Sequence, residues 1–516
     1  MHAHIAFDSD LEKLSHELFA NLRQPEALGH RFEYARYEEW KSLWNRQSRL
    51  FHGLSHMFAM SELDKDLPSR AGIYAMVGGF MHDIEYPSIG EEVTHVSQRF
   101  IDTYIDRTGG KHVLKPLDPN DRAGHLLYGI FGFEAGHELS AFPIFADGKL
   151  VNPGGLNEFY SAAAAVGELK ELGKDDQFIA GVVAVIEATV PFRQPSRMDD
   201  LRGRIERTSA ALNMDLTPND IDEMMMASVY TANKDVSGFL GGLDPLKDTQ
   251  PTTQSVLNTI QGGDMLSPEE IPSMRTAGKA RNTPPGDYPA SDFLKARAKR
   301  AGLYQLVIGG NAAEGTIGNL FFETTLSGGD VYPPQPWKEN ANKLAYANNL
   351  PVRTAEYARL VSQAIVHSIA SSAGASTDPE TAKLIELVSG IGERLRPQLP
   401  TEVSQVRQLA FHAVNGRHKV NGGDTPRSPL AELVLSQIDE HQVAELGLVA
   451  RKLVAPAPGT APLEPKQFLQ EASKVLGSSV ARIRDEMVQT ARIRGNQTAA
   501  LALSQVSIDG PDLPKH

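Results

Sequence analysis

The chain has 516 residues, 41% of them hydrophobic and 22% charged, which suits one large core or two to three smaller ones and argues against disorder. A formal net charge of −13 disfavours a general electrostatic grip on nucleic acid or anionic membrane, so a small-molecule substrate is expected, with a local basic patch still able to hold a phosphate ester. Zero cysteines exclude disulfides and thiolate metal sites and leave His, Asp and Glu as the available ligands.

The N-terminus lacks a basic stretch followed by an apolar one, and no run of 18 apolar residues occurs later, so a soluble protein in the cytoplasm is expected. Residues 9 to 23 carry Leu11, Leu14, Leu18 and Leu22 at helical spacing. Residues 35 to 63 predict one or two further helices, the second bearing His52 and His56 in Leu50-Phe51-His52-Gly53-Leu54-Ser55-His56. Four residues apart, these two histidines share a helix face. Ile73 to His82 reads as a buried helix ending at the pair His82-Asp83. Pro87 and Gly90 break it, and a helical pattern resumes from Glu91 to Tyr104.

From about 105 to 156 glycines scatter through the chain, and Phe142 to Val151 reads as a β-hairpin around Asp147-Gly148, so this stretch predicts an insertion. Helices return at 157 to 173, 176 to 190, 199 to 212 and 218 to 240. Residues 244 to 292, rich in Pro, Thr and Gly, read as loop, and the basic run at 295 to 300 opens another helix. Further helices fit 338 to 349, 353 to 372, 380 to 395 and 401 to 416. An Ala-Pro linker from Ala455 to Pro462 precedes a last amphipathic helix at about 466 to 494. The expected fold is all-α: a core at 1 to 243, a loop-rich connection and helical extension at 244 to 454, and the linker with its C-terminal helix at 455 to 516. The apolar stripe Phe468, Leu469, Ala472, Val475, Leu476, Ile483 and Met487 needs a cover, either a homo-oligomer partner or the same chain.

Two imidazoles and a carboxylate in these positions suit a borderline divalent cation such as zinc, manganese, iron or nickel. The same residues have structural readings: Asp83 as a helix cap, His95, His112, His125 and His137 as solvated or packed rings, and Met224, Met225 and Met226 as core. Arg49, Arg193, Lys234 and the run at 295 to 300 are candidates to bind phosphate charge.

The stretch Phe51 to His56 resembles the Tyr-His-Asn-x-x-His segment of the HD-domain metal-dependent phosphohydrolases, and Met81 to Pro87 resembles their His-Asp signature. Glu158-Phe159-Tyr160-Ser161-Ala162, Val185 to Val190, and Tyr230 to Phe239 are similar to later segments of the same superfamily, in the same order, over residues 40 to 240. The resemblance implies an HD-domain helical bundle in which His56, His82, Asp83 and Asp235 hold a divalent metal ion, with Mn, Zn, Fe, Ni, Co and Mg not distinguished. It implies a metal-activated water that cleaves a phosphate ester or phosphodiester of a small nucleotide-like substrate, with His52 as general acid. Gly53 stands where the family commonly has Asn, and Tyr86 where the cyclic-nucleotide phosphodiesterases carry a further His that helps organise a second metal. Alternatives of other classes are an HD-fold di-iron oxygenase, which would recruit His112, His125 or His137, and a non-catalytic HD-type sensor or interaction protein.

Overall fold

The computed structural model describes residues 56, 60, 67–85, 87, 95–140, 144–146, 149–152, 154–190, 197–266, 294, 297, 298, 301, 302, 320–374, 397–415, 418–420, 423–425, 428–454, 460–493 and 495–508. The helices expected at 9 to 23 and 380 to 395 lie outside the described residues. Across the described residues the protein is mostly α-helical, and its strands form two-stranded antiparallel hairpins. None of the described helices is long and apolar enough to cross a membrane. The chain divides into two compact units, Met1–Ser237 with Gly318–Asn342, and Gly238–Ile317 with Lys343–His516.

The first unit contains α1 (Ser69–Met81), α2 (His95–Tyr104), α3 (Arg122–Phe131), α4 (Leu156–Glu171), α5 (Asp176–Ala188), α6 (Arg197–Ala211) and α7 (Pro218–Asp235). Helix α5 is central because its sequence allows it no wet face: every residue from Ile179 to Ala188 is buried. Helices α1, α3, α4 and α7 pack around it. At the end of that apolar run sits Glu187, fully buried, with Arg204 at 2.8 Å and Arg197 at 3.5 Å from its carboxylate. Arg197 also donates to the Glu187 and Val190 carbonyls, so a buried acid is matched by two guanidiniums. Helix α7 begins where the sequence offers a capping box, Thr217 with Asp220, and Pro218 in the first turn.

Three hairpins decorate this unit: β1 (Ile105–Asp106) with β2 (Val113–Leu114), β3 (Ile144–Ala146) with β4 (Lys149–Asn152), and β5 (Thr324–Thr325) with β6 (Val331–Tyr332). The second pairs Ala146 with Lys149 around the expected Asp-Gly turn, with a register shift between Ile144 and Phe145. The stretch expected as an insertion also holds α3, which scattered glycines hide in the sequence. Asp121 caps it by accepting from the Gly124 N–H, Gly132 closes it at φ 71°, and Leu126, Leu127, Ile130 and Phe131 are buried.

The second unit contains α8 (Thr253–Leu266), most of α9 (Trp337–Ser372), α10 (Gln405–Asn415), α11 (Pro429–Gln437), α12 (Glu440–Val454), α13 (Pro465–Leu476), α14 (Ser478–Ile493) and α15 (Gln497–Ser504), with a hairpin of β7 (His418–Val420) and β8 (Gly423–Thr425). Helix α8 falls where a loop was expected, and it buries Val256, Leu257 and Ile260. The two helices expected at 338 to 349 and 353 to 372 are one, with Pro351 inside. Leu344 and Ala345 before the proline and Val352 and Ala355 after it are buried, and that packing outweighs the roughly 3 kcal/mol of an interior proline. The expected helix at 466 to 494 is broken at Gly477, whose φ of 54° no L side chain adopts readily. Phe468, Leu469, Ala472, Leu476, Ile483 and Met487 lie in the core of this same unit, so all of the stripe but the exposed Val475 is covered by its own chain. Of the basic run, Arg297 pairs with the buried Glu356 at 2.7 Å, which makes it part of an internal ion pair rather than an exposed cation.

Candidate metal centre

Four side chains from three distant stretches meet in the first unit. His56 Nε2 lies 3.3 Å from His82 Nε2, 3.8 Å from Asp83 Oδ2 and 3.3 Å from Asp235 Oδ1. His82 Nε2 lies 2.9 Å from Asp83 Oδ2 and 3.6 Å from Asp235 Oδ1. The donor atoms of His56, His82 and Asp83 all lie within 4.8 Å of one another, a grouping compatible with a single divalent ion, and Asp235 adjoins its two histidines. The side chains grade outward, from 1% exposed at His82 and 5% at Asp83 to 10% at His56 and 16% at Asp235. The accessible side of the cluster is therefore that of His56 and Asp235.

The electrostatics agree with a site that seeks positive charge. Burial opposes a charged His82, yet attraction to Asp83 and hydrogen bonding with Asp235 and Asp83 prevail and hold its pKa well above the ordinary histidine value. Burial likewise opposes an ionised Asp235, but hydrogen bonds from His56 and His82 keep its pKa well below the usual carboxylate range. Without a cation the cluster binds protons, and a metal would take their place.

Backbone packing explains how the sequence brings these groups together. His82 leaves the C-terminal end of α1, and its Nδ1–H donates to the Gly79 carbonyl at 2.7 Å. A carbonyl only accepts, so Nδ1 carries the proton and Nε2 is the atom that faces the cluster. The turn after it is pinned by Ser161 of α4, which accepts from the Glu85 N–H at 3.2 Å and donates to the Glu85 carbonyl. Gly78 and Gly79 let α1 approach its neighbours. A Cβ at Gly78 would stand 2.4 Å from Val185 Cγ1 of α5, and one at Gly79 would stand 2.6 Å from the Met60 carbonyl, one helical turn beyond His56. In the sequence Gly79 shows only as part of a Gly-Gly pair inside an apolar run just before His-Asp, and Ser161 only as part of the segment Glu158 to Ala162 that resembles the superfamily, with no sign of its contact to Glu85. Gly79→Val is accordingly expected to displace the segment carrying His56, destabilise the protein by about 1–3 kcal/mol and weaken metal retention, checked by thermal melting and metal analysis.

The remaining candidates fall elsewhere. Asp235 ends α7, whereas Asp222 of the same helix pairs with Arg202 at 2.7 Å and accepts from the Ser327 N–H at 2.9 Å. Asp220 is tied to Arg70 and Gln177, and Asn233 binds both main-chain groups of Phe322. Lys234 donates to the Tyr230 hydroxyl at 3.2 Å and lies over that ring. His112 shares a hydrogen bond with the Tyr160 hydroxyl, His125 lies 3.2 Å from the Asp118 carbonyl, and His137 stacks on Phe133. His52, Arg49 and Arg193 lie outside the described residues. Comparison with protein-family models, with curated proteins and with solved structures returns no match for this chain.

Proposed function

We propose that the first unit is an HD-type metal-dependent phosphohydrolase acting on a phosphate ester or phosphodiester of a small nucleotide-like molecule. The observation that supports it is the convergence of His56, His82, Asp83 and Asp235, in the order and residue types that the resemblance implies. A divalent ion in such a cluster supplies Lewis-acid activation of water and neutralises phosphoryl charge. The chain's own groups do the rest. His82 and Asp83 anchor from the buried side, and His56 and Asp235 complete the cluster where a substrate has access. His52 stands one helical turn before His56 in sequence and protonates the leaving oxygen, a role for which an imidazole pKa near 6.5 suits neutral pH.

The di-iron alternative needs more histidines than the described site gathers, because His112 and His125 hydrogen-bond elsewhere and His137 stacks on Phe133, away from the cluster. Metal analysis of purified protein, with a nucleotide and phosphomonoester screen under Mn, Co, Ni, Fe and Mg, tests the proposal. The expected result is about one divalent ion per chain, an open-sided mononuclear site, and turnover on the panel. Two irons with oxygen consumption would favour the oxygenase, and retained metal without hydrolysis of any panel member would favour a sensor. His52→Ala is expected to leave metal content intact and lower turnover by about 100-fold or more, with a smaller loss on substrates whose leaving groups need no proton.

A further inference from the structure

The first unit also contains a cleft of about 910 Å³, formed by α3, the segment from Phe133 to His137, and α6, and it shares no residue with the metal centre. Two polar groups at this cleft are uncommitted. His137 Nε2 is buried and has no hydrogen-bond partner. The ring itself lies parallel to Phe133, with centroids 4.2 Å apart and planes 14° apart. Phe133 is buried beneath while His137 is half-exposed, so the stack offers its imidazole side to the cleft. Burial pushes the His137 pKa down, which keeps the ring neutral and suited to stacking.

The second group is Arg207. Arg197 and Arg204 also line the cleft, but Glu187 holds both. Arg207 is exposed and, among the described residues, makes no ion pair. The three arginines are matched by Glu134, Asp200 and Glu187, which leaves no surplus charge for a polyphosphate, and Arg207 is the lining cation that makes no ion pair among the described residues. We propose that this cleft binds a small aromatic monoanion of the arenecarboxylate class, with its ring against His137 and its carboxylate on the Arg207 guanidinium.

Fluorescence titration of the full chain with 2-naphthoate, compared with uncharged 2-naphthalenemethanol, tests this. The expected result is saturable binding of 2-naphthoate at one site. Arg207→Ala should weaken it by about tenfold, as loss of one charge-assisted contact does, and leave 2-naphthalenemethanol unaffected. His137→Ala should weaken both probes. Because Arg207 is exposed, its variant folds, and the charge selectivity decides the matter even where His137→Ala does not fold. Absence of saturable 2-naphthoate binding up to about 5 mM, or binding that Arg207→Ala leaves unchanged, overturns the proposal.

Discussion

Asp235→Ala is expected, on the proposed reading of the site, to strip the metal and abolish hydrolysis. Its Oδ1 stands 3.3 Å from His56 Nε2 and 3.6 Å from His82 Nε2, so its removal opens one side of the cluster and deletes one of two carboxylate charges. Even partners that only orient a ligand are typically worth about 10 to 100-fold in metal affinity, and loss of a direct ligand should exceed that range. Metal content by mass spectrometry and turnover read the effect. Asp222→Ala is the control: its carboxylate joins Arg202 to Ser327, so the variant should lose stability and keep its metal. Equal metal content in the Asp235 variant and the parent protein would remove Asp235 from the site. In the metal-free protein the same substitution takes away one of the groups that hold His82 protonated, so its imidazole should titrate at lower pH by NMR.

Glu187→Ala is expected to give the largest loss of stability. The side chain is fully buried on the central helix, and its removal leaves Arg197, 3% exposed, and the partly buried Arg204 without their carboxylate. Removing one partner of a buried ion pair typically costs about 3–5 kcal/mol, because the remaining charge loses its counter-ion away from water. For a unit of this size that corresponds to a fall in melting temperature on the order of 10 °C. Calorimetry reads it directly, and a fall of less than about 2 °C would show that the pair is not desolvated as the burial indicates. Replacing Glu187 together with both arginines by apolar residues of similar size should recover much of the loss.

Three members of the cluster have a local signal in the sequence, His56 and the pair His82-Asp83 at the end of an apolar run, whereas His52 lies outside the described residues. Asp235 could be named only through the order of similar segments, since Asp220, Asp222 and Asn233 offer the same local appearance. The supporting contacts were hidden. Nothing in the local pattern says that Ser161 pins Glu85, that Glu187 carries two arginines, or that Phe322 returns to Asn233. All of these depend on which distant segment packs where. The errors in the helix boundaries share a cause. Gly129 and Pro351 read as breakers in isolation, yet Gly129 makes room for Thr208, where a Cβ would stand 2.3 Å from its hydroxyl oxygen, and Pro351 sits among buried neighbours on both sides. Gly477 shows the converse, since a single backbone angle splits an otherwise continuous amphipathic pattern.

The Asn233–Phe322 bonds span 89 residues and the Asp222–Ser327 bonds span 105. The helix that delivers Asp235 is thus fastened by a part of the chain made long after it. At a synthesis rate of about 5–20 residues per second, Asn233 leaves the ribosome roughly 4 to 18 seconds before its partner. During that interval α7 carries a nearly buried amide and acid with neither main-chain partner present, so the nascent first unit is incomplete however well its earlier helices have condensed. Chains arrested before Phe322 should remain protease-sensitive across residues 218–235, and protection should appear only once Ser327 has emerged.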